Sequence, residues 1–116
     1  MCLPELCTVA TKAAIQQAKI DPKLIDNVYV GNVSQTAADT PYLARHVGLH
    51  SGIPIEAPAL TINRLCGSAF ESIVLAAKSI LTGESQVCLA GGAETMSMAP
   101  YAVKLTIFYA CEVAFP

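Results

Sequence analysis

Apolar residues recur at helical spacing from about Glu5 to Lys19, with Leu6, Val9, Ala10, Ala13 and Ala18 on one side. This predicts a first helix whose packing face is mostly alanine, small enough to lie close to a sheet. Asp21-Pro22 then offers an N-cap and a first-turn proline for one short turn over 22–26. Asn27-Val28-Tyr29-Val30-Gly31-Asn32-Val33 reads as a strand with a glycine break, and Thr40 to Leu49 repeats the cap-then-proline start of a helix. Pro54 and Pro58 punctuate a connector into the apolar run Pro58-Ala59-Leu60-Thr61-Ile62, a second strand. From Ser68 onward, Phe70, Ile73, Val74, Ala77, Ile80 and Leu81 repeat at helical spacing, and Gly83 stands at the C-terminal cap. The other faces of that helix carry Ala69, Leu75 and Ala76, which predicts burial almost all round. Gln86 to Ala90 is a short strand ending at Gly91-Gly92. Strands alternating with helices predict an α/β fold with parallel pairing and right-handed crossovers. The stretch Leu105 to Pro116 has one charge and reads either as a last strand or as an aggregation-prone tail.

Composition narrows the partners. The chain has 116 residues, 53% of them hydrophobic and 14% charged, so a disordered or coiled-coil chain is excluded and buried layers or a partner are implied. A net charge of −2 without a basic cluster excludes the electrostatic footprint of nucleic-acid binding. No apolar stretch approaches the roughly 20 residues of a membrane span, and the start lacks a secretory signal. The five cysteines (Cys2, Cys7, Cys66, Cys88 and Cys111) are odd in number and widely spaced, which favours free thiols in a reducing compartment. No C-x-x-C pair suggests zinc.

Cys66 is the chemical candidate. It lies where the second strand gives way to the helix starting at Ser68, facing unpaired backbone N–H groups and the positive end of the helix dipole. Both favour the thiolate, which is the nucleophile. Gly67 and Ser68 make the first turn small, and the Cys66 N–H is placed to face an oxyanion. The bland alternative is a small buried hydrophobe. Cys2, Cys7, Cys88 and Cys111 stay with that reading, although Cys88 is expected on a core strand near the site. His46 and His50, four apart, read better as packed or solvent-facing than as metal ligands, with no carboxylate or cysteine beside them in sequence. Gly91-Gly92 reads as a tight strand-to-loop turn before a phosphate loop, and Glu94 as capping that turn before orienting a site group. Arg45 and Arg64 read as phosphate contacts or, at least equally, as buried or interfacial ion-pair partners.

Asn63-Arg64-Leu65-Cys66-Gly67-Ser68-Ala69-Phe70 resembles the N-R-x-C-x-S-G nucleophile segment of the thiolase family. Gly91-Gly92-Ala93-Glu94-Thr95-Met96-Ser97 is similar to its G-G-x-E-x-M-S loop. Gly31-Asn32-Val33 and Tyr42 to Leu49 fit as well. The resemblance covers about residues 5 to 104 and is nearest to the family's mitochondrial 3-ketoacyl-CoA type.

The resemblance implies a thiolase-like layered fold: a partial N-terminal domain over 1–104, with a mixed, mainly parallel sheet and a buried helix after the nucleophile, then a divergent apolar tail over 105–116. It implies acyl transfer in which Cys66 attacks a 3-ketoacyl-CoA, acetyl-CoA leaves, and coenzyme A, a substrate with no resident cofactor or metal beside it, takes the acyl group. It further implies a homodimer or tetramer pairing through the 59–65 strand, and a mitochondrial matrix location with cytoplasm or peroxisome as alternatives. Against the family pattern, the first core strand is expected to be missing, as is the second half with its histidine base, second cysteine and asparagine. The chain alone is therefore expected to be inactive. Ala69 stands where glycine is usual and is expected to crowd the first helical turn. Two other readings are a non-catalytic fragment that pairs with a full-length thiolase and a different condensing enzyme of the same superfold.

Overall fold

The structure, a computed structural model, describes residues 2–101; the divergent tail expected over 105–116, with its possible last strand, lies outside the described residues. Three parallel strands form the sheet: β1 (Asn27–Gly31), β2 (Ala59–Ile62) and β3 (Cys88–Gly92), in the order β2-β1-β3. Val28 pairs with Ala59 and Leu89, and Gly31 with Ile62 and Gly92, so all three strands end at the same level. Helix α1 (Leu3–Ala18) precedes β1, α2 (Leu43–His50) joins β1 to β2, and α3 (Ser68–Leu81) joins β2 to β3.

Alternation along β1 decides the layers. Val28 and Val30 face α2 and α1 and share a core with Leu43, Val47, Leu3 and Ile15. Tyr29 and Gly31 face α3: the Tyr29 hydroxyl lies 2.7 Å from Ser79 Oγ, and Gly31 abuts the backbone of Ser68. The sheet is thus covered on both faces, as parallel sheets are.

Several elements differ from the sequence reading. The covered side of α1 is Leu3, Cys7, Thr8, Thr11 and Ile15, while Leu6 and Val9 are exposed. The helix packs on α2 rather than close to the sheet, so a stripe carrying two threonines wins over the alanine face. The turn after Asp21 spans Pro22–Leu24, with Asp21 Oδ1 accepting from the Lys23 N–H as expected. A 3-10 turn (Thr40–Tyr42) opens the second helix, and the expected cap Thr40 lies inside that turn, its Oγ1 accepting the Ala37 N–H at 3.0 Å; Thr61 Oγ1 accepts the Ala44 N–H at 3.0 Å, so a strand side chain satisfies one of that helix's first donors. The second strand ends at Ile62, short of the expected 65.

Helix α3 inverts its expected burial. Its sheet face is Ser68, Ser72, Ala76 and Ser79, all buried, whereas Phe70, Ile73, Ile80 and Leu81 are exposed. Ser72 is 0% exposed, its hydroxyl donating to the carbonyls of Ala69 and Gly91, which lets small, self-satisfied side chains bring helix and sheet together. The helix is therefore half covered, not buried all round. Gly83, at φ 76°, follows the C-cap residue Thr82 as expected. Gly91-Gly92 belongs to β3 rather than to a turn, because the parallel ladder with β1 runs through both residues. Among the described residues no helix is long and apolar enough to cross a membrane.

Candidate active site

All three strands deliver their C-terminal ends to one edge of the sheet. There β1 leads to a helix on one face and β2 to a helix on the other, which in open parallel sheets opens a crevice. A cleft of about 520 Å³ lies at that edge. Gly31 and Gly92 form part of its lining, Leu65, Cys66, Ser68 and Ala69 another part, and Val33, Ser34, Ala93, Glu94 and Met96 the rest. It is mainly apolar, and Cys66 and Glu94 are its only titratable side chains among the described residues.

The loop between β2 and α3 places Cys66 there. Leu65 has φ 50°, a left-handed conformation that a γ-branched residue adopts rarely and only when its surroundings dictate it. Asn63 Oδ1 accepts the Leu65 N–H at 3.1 Å. Ser68 Oγ accepts the Arg64 N–H at 2.8 Å and donates to the Leu65 carbonyl at 2.6 Å. The N–H groups of Gly67 and Ser68 donate to the carbonyls of Arg64 and Leu65, and Arg64 pairs with Glu71 on α3. Cys66 itself is exposed, and among the described residues its N–H has no backbone acceptor. Gly67, not cysteine, is the N-cap residue of α3.

Glu94 does more than cap its own turn. Its carboxylate accepts the N–H groups of Val33 and Ser34, each at 2.9 Å, and Asn32 Nδ2 at 3.4 Å. It ties the loop after β3 to the loop after β1, forming one wall of the cleft. Asn32, 5% exposed, adds a bond to the Ala93 carbonyl at 2.9 Å. The sequence reads Ser68 only as a small first-turn residue and Asn32 only as part of the Gly31-Asn32-Val33 resemblance, not as hydrogen-bonding parts of the site. The serine's place two residues after the cysteine, at the start of a helical pattern, is a local signal, whereas the asparagine's bonds span 61 and 62 residues and no local pattern records them.

The remaining candidates separate from this site. Cys88 pairs with Asn27 at the opposite end of the strands, so it is not near the site as expected. The Ala69 methyl lies against Gly92; a Cβ on residue 92 would lie 2.5 Å from it. Arg45 donates to the carbonyls of Ala57 and Ile55 at 3.0 and 2.8 Å, fastening the connector instead of meeting a phosphate or an acid. Arg64, by contrast, forms an ion pair, but with its own side chain exposed rather than buried. His46 and His50 stack with ring centroids 6.2 Å apart, and Asp39, not foreseen as a neighbour, lies 4.0 Å from His46. Neither histidine lines the cleft, and among the described residues no group of three ligating side chains could hold a metal.

Burial pushes the thiols of Cys7 and Cys88 above the ordinary cysteine range. A raised thiol holds less thiolate at a given pH. Iodoacetamide at neutral pH is therefore expected to modify the exposed Cys66 first and Cys7 and Cys88 last, with the gap narrowing as pH rises. Peptide mapping over a pH series checks the order; equal labelling at neutral pH would contradict it.

Comparison with known proteins gives a consistent picture. The family model "Thiolase, N-terminal domain" matches residues 1–113. The mitochondrial 3-ketoacyl-CoA thiolase of Pongo abelii is 53% identical over 104 residues, covering 90% of this chain and 26% of that protein. A crystal structure of human mitochondrial 3-ketoacyl-CoA thiolase in complex with CoA superposes with a TM-score of 0.87 at 52% identity, over 91% of this chain and 27% of that one. The Bacillus anthracis acetyl-CoA acetyltransferase structure gives 0.82 at 34% identity, over 91% and 27%. The chain spans about a quarter of the length of the curated relatives it matches.

Proposed function

The chain belongs to the thiolase family, and we propose that it carries the nucleophilic half of an acyl-transfer site acting on 3-ketoacyl-CoA. The Cys66 sulfur attacks the 3-keto carbon, the bond between carbons 2 and 3 breaks, and the two-carbon part leaves as the enolate of acetyl-CoA. That enolate takes up one proton, and the shortened acyl group stays on sulfur as a thioester. The sulfur of coenzyme A then attacks the thioester, and the Cys66 sulfur leaves. Coenzyme A is a substrate here, with no resident cofactor or metal. The observation that carries this reading is the exposed Cys66, held beside a left-handed Leu65 at the mouth of an apolar cleft, with an N–H that has no backbone acceptor among the described residues and can serve an oxyanion.

Incubation of the chain with acetyl-CoA is expected to leave an acetyl thioester on Cys66, seen by intact mass and peptide mapping and absent from Cys66→Ala. Acetylation elsewhere, or an adduct that survives the substitution, would count against the assignment.

β2 is an edge strand of the described sheet, which supports pairing of the 59–65 segment with a second thiolase chain as a homodimer or within a tetramer. The same open edge also favours a second reading, a non-catalytic chain that pairs with a longer thiolase. The mitochondrial names of the relatives support a matrix location, with cytoplasm and peroxisome as the alternatives.

A further inference from the structure

We propose that Ser68 is a positioning residue for the nucleophile: its hydroxyl clamps both sides of Leu65, holds that residue left-handed and so aims Cys66 into the cleft. The inference rests on the reading of Cys66 as the acyl-accepting thiol. Ser68 is 4% exposed, and its hydroxyl makes two short bonds, accepting from the Arg64 N–H and donating to the Leu65 carbonyl. These bonds flank the residue whose φ of 50° is unfavourable for any side chain larger than glycine. Asn63 Oδ1 restrains the same residue from the other side through its N–H. Leu65 is 71% exposed, so packing within this chain does not impose the conformation; hydrogen bonds do. Without them the backbone relaxes toward negative φ. The next peptide turns with it, moving both the Cys66 sulfur and the N–H meant for the oxyanion. Ser68 acts through Leu65.

Glycine at position 65 distinguishes this role from a merely structural one, because left-handed φ costs glycine nothing. Acetyl transfer from acetyl-CoA to Cys66 is expected to fall by roughly tenfold or more in Ser68→Ala, the size of effect that a released strained residue produces. Alkylation by iodoacetamide, a small probe that needs exposure rather than aim, is expected to change by less than about threefold. In a Leu65→Gly background, adding Ser68→Ala should reduce acetyl transfer by less than about twofold, which is the signature of coupling through residue 65. Asn63→Ala, at an exposed position, provides the second arm: it should lower acetyl transfer in the same direction, again with rescue by Leu65→Gly, even where Ser68→Ala fails to fold. Wild-type protein that acetylates Cys66, combined with variants that acetylate equally well or are not rescued by glycine, would overturn the role of Ser68 and leave the proposed function standing. Wild-type protein that never acetylates Cys66 would overturn the proposed function itself.

Discussion

Replacing Gly31 by alanine is expected to cost this chain at least about 3 kcal/mol and to lower its Tm by roughly 12–24 °C, enough to unfold a marginal domain at moderate temperature. A Cβ at residue 31 would penetrate the Ser68 carbonyl carbon and lie 2.5 Å from the Ala69 nitrogen and 2.7 Å from the Ser68 oxygen. All of these are backbone atoms of the first turn of α3, so no side-chain rotation relieves the clash. The helix start has to move, and with it the loop that carries Cys66. Gly91→Ala is the internal control, since a Cβ there meets nothing within 4 Å. Thermal melts of both variants decide the matter. A Gly31→Ala protein melting within a few degrees of the parent would show that the close approach of β1 and α3 is not a constraint.

The 116-residue chain is also expected not to thiolyse acetoacetyl-CoA at a measurable steady-state rate. The reaction proposed above moves protons in both steps: the Cys66 thiol loses one and the enolate gains one, then the coenzyme A thiol loses one and the departing Cys66 sulfur regains one. General acid–base groups contribute roughly 10²–10⁴ each to such steps. Among the described residues lining the cleft, only Glu94 accompanies Cys66 as a titratable side chain, and both its oxygens already receive hydrogen bonds from Val33, Ser34 and Asn32. His46 and His50 sit on α2 and do not line the cleft. Acetylation of Cys66 and turnover therefore come apart: the first needs a sulfur and a donor, the second a proton carrier as well. Thiolysis that is present in the parent chain and lost in Cys66→Ala would refute this expectation.

The elements were largely legible in the sequence because caps, prolines and glycines act locally. Asp21-Pro22 and Gly83 mark a start and a stop wherever the surrounding chain goes. The place of Cys66 at a strand-to-helix junction was legible for the same reason, since a small residue pair and a helical pattern follow it directly. The partners of the site were not. Glu94 fastens the loops after β1 and β3 through bonds to residues 60 to 62 positions away, and no local pattern records such a pairing.

What the sequence determined by itself was which segments are helix and strand, that the strands run parallel, and which cysteine stands at a strand-to-helix junction. Only the tertiary structure decided which face of each helix is covered. For α3 the apolar period identified a helix but pointed to the wrong side, because the neighbouring strands present Gly31, Ala90 and Gly92 to it, with the Tyr29 hydroxyl reaching Ser79. Against such a surface the closest packing comes from serines that satisfy their hydroxyls on nearby carbonyls or on that phenol, not from phenylalanine and isoleucine. Periodicity gives the angle between side chains around an axis; the direction that angle is measured from is set by what lies across the interface.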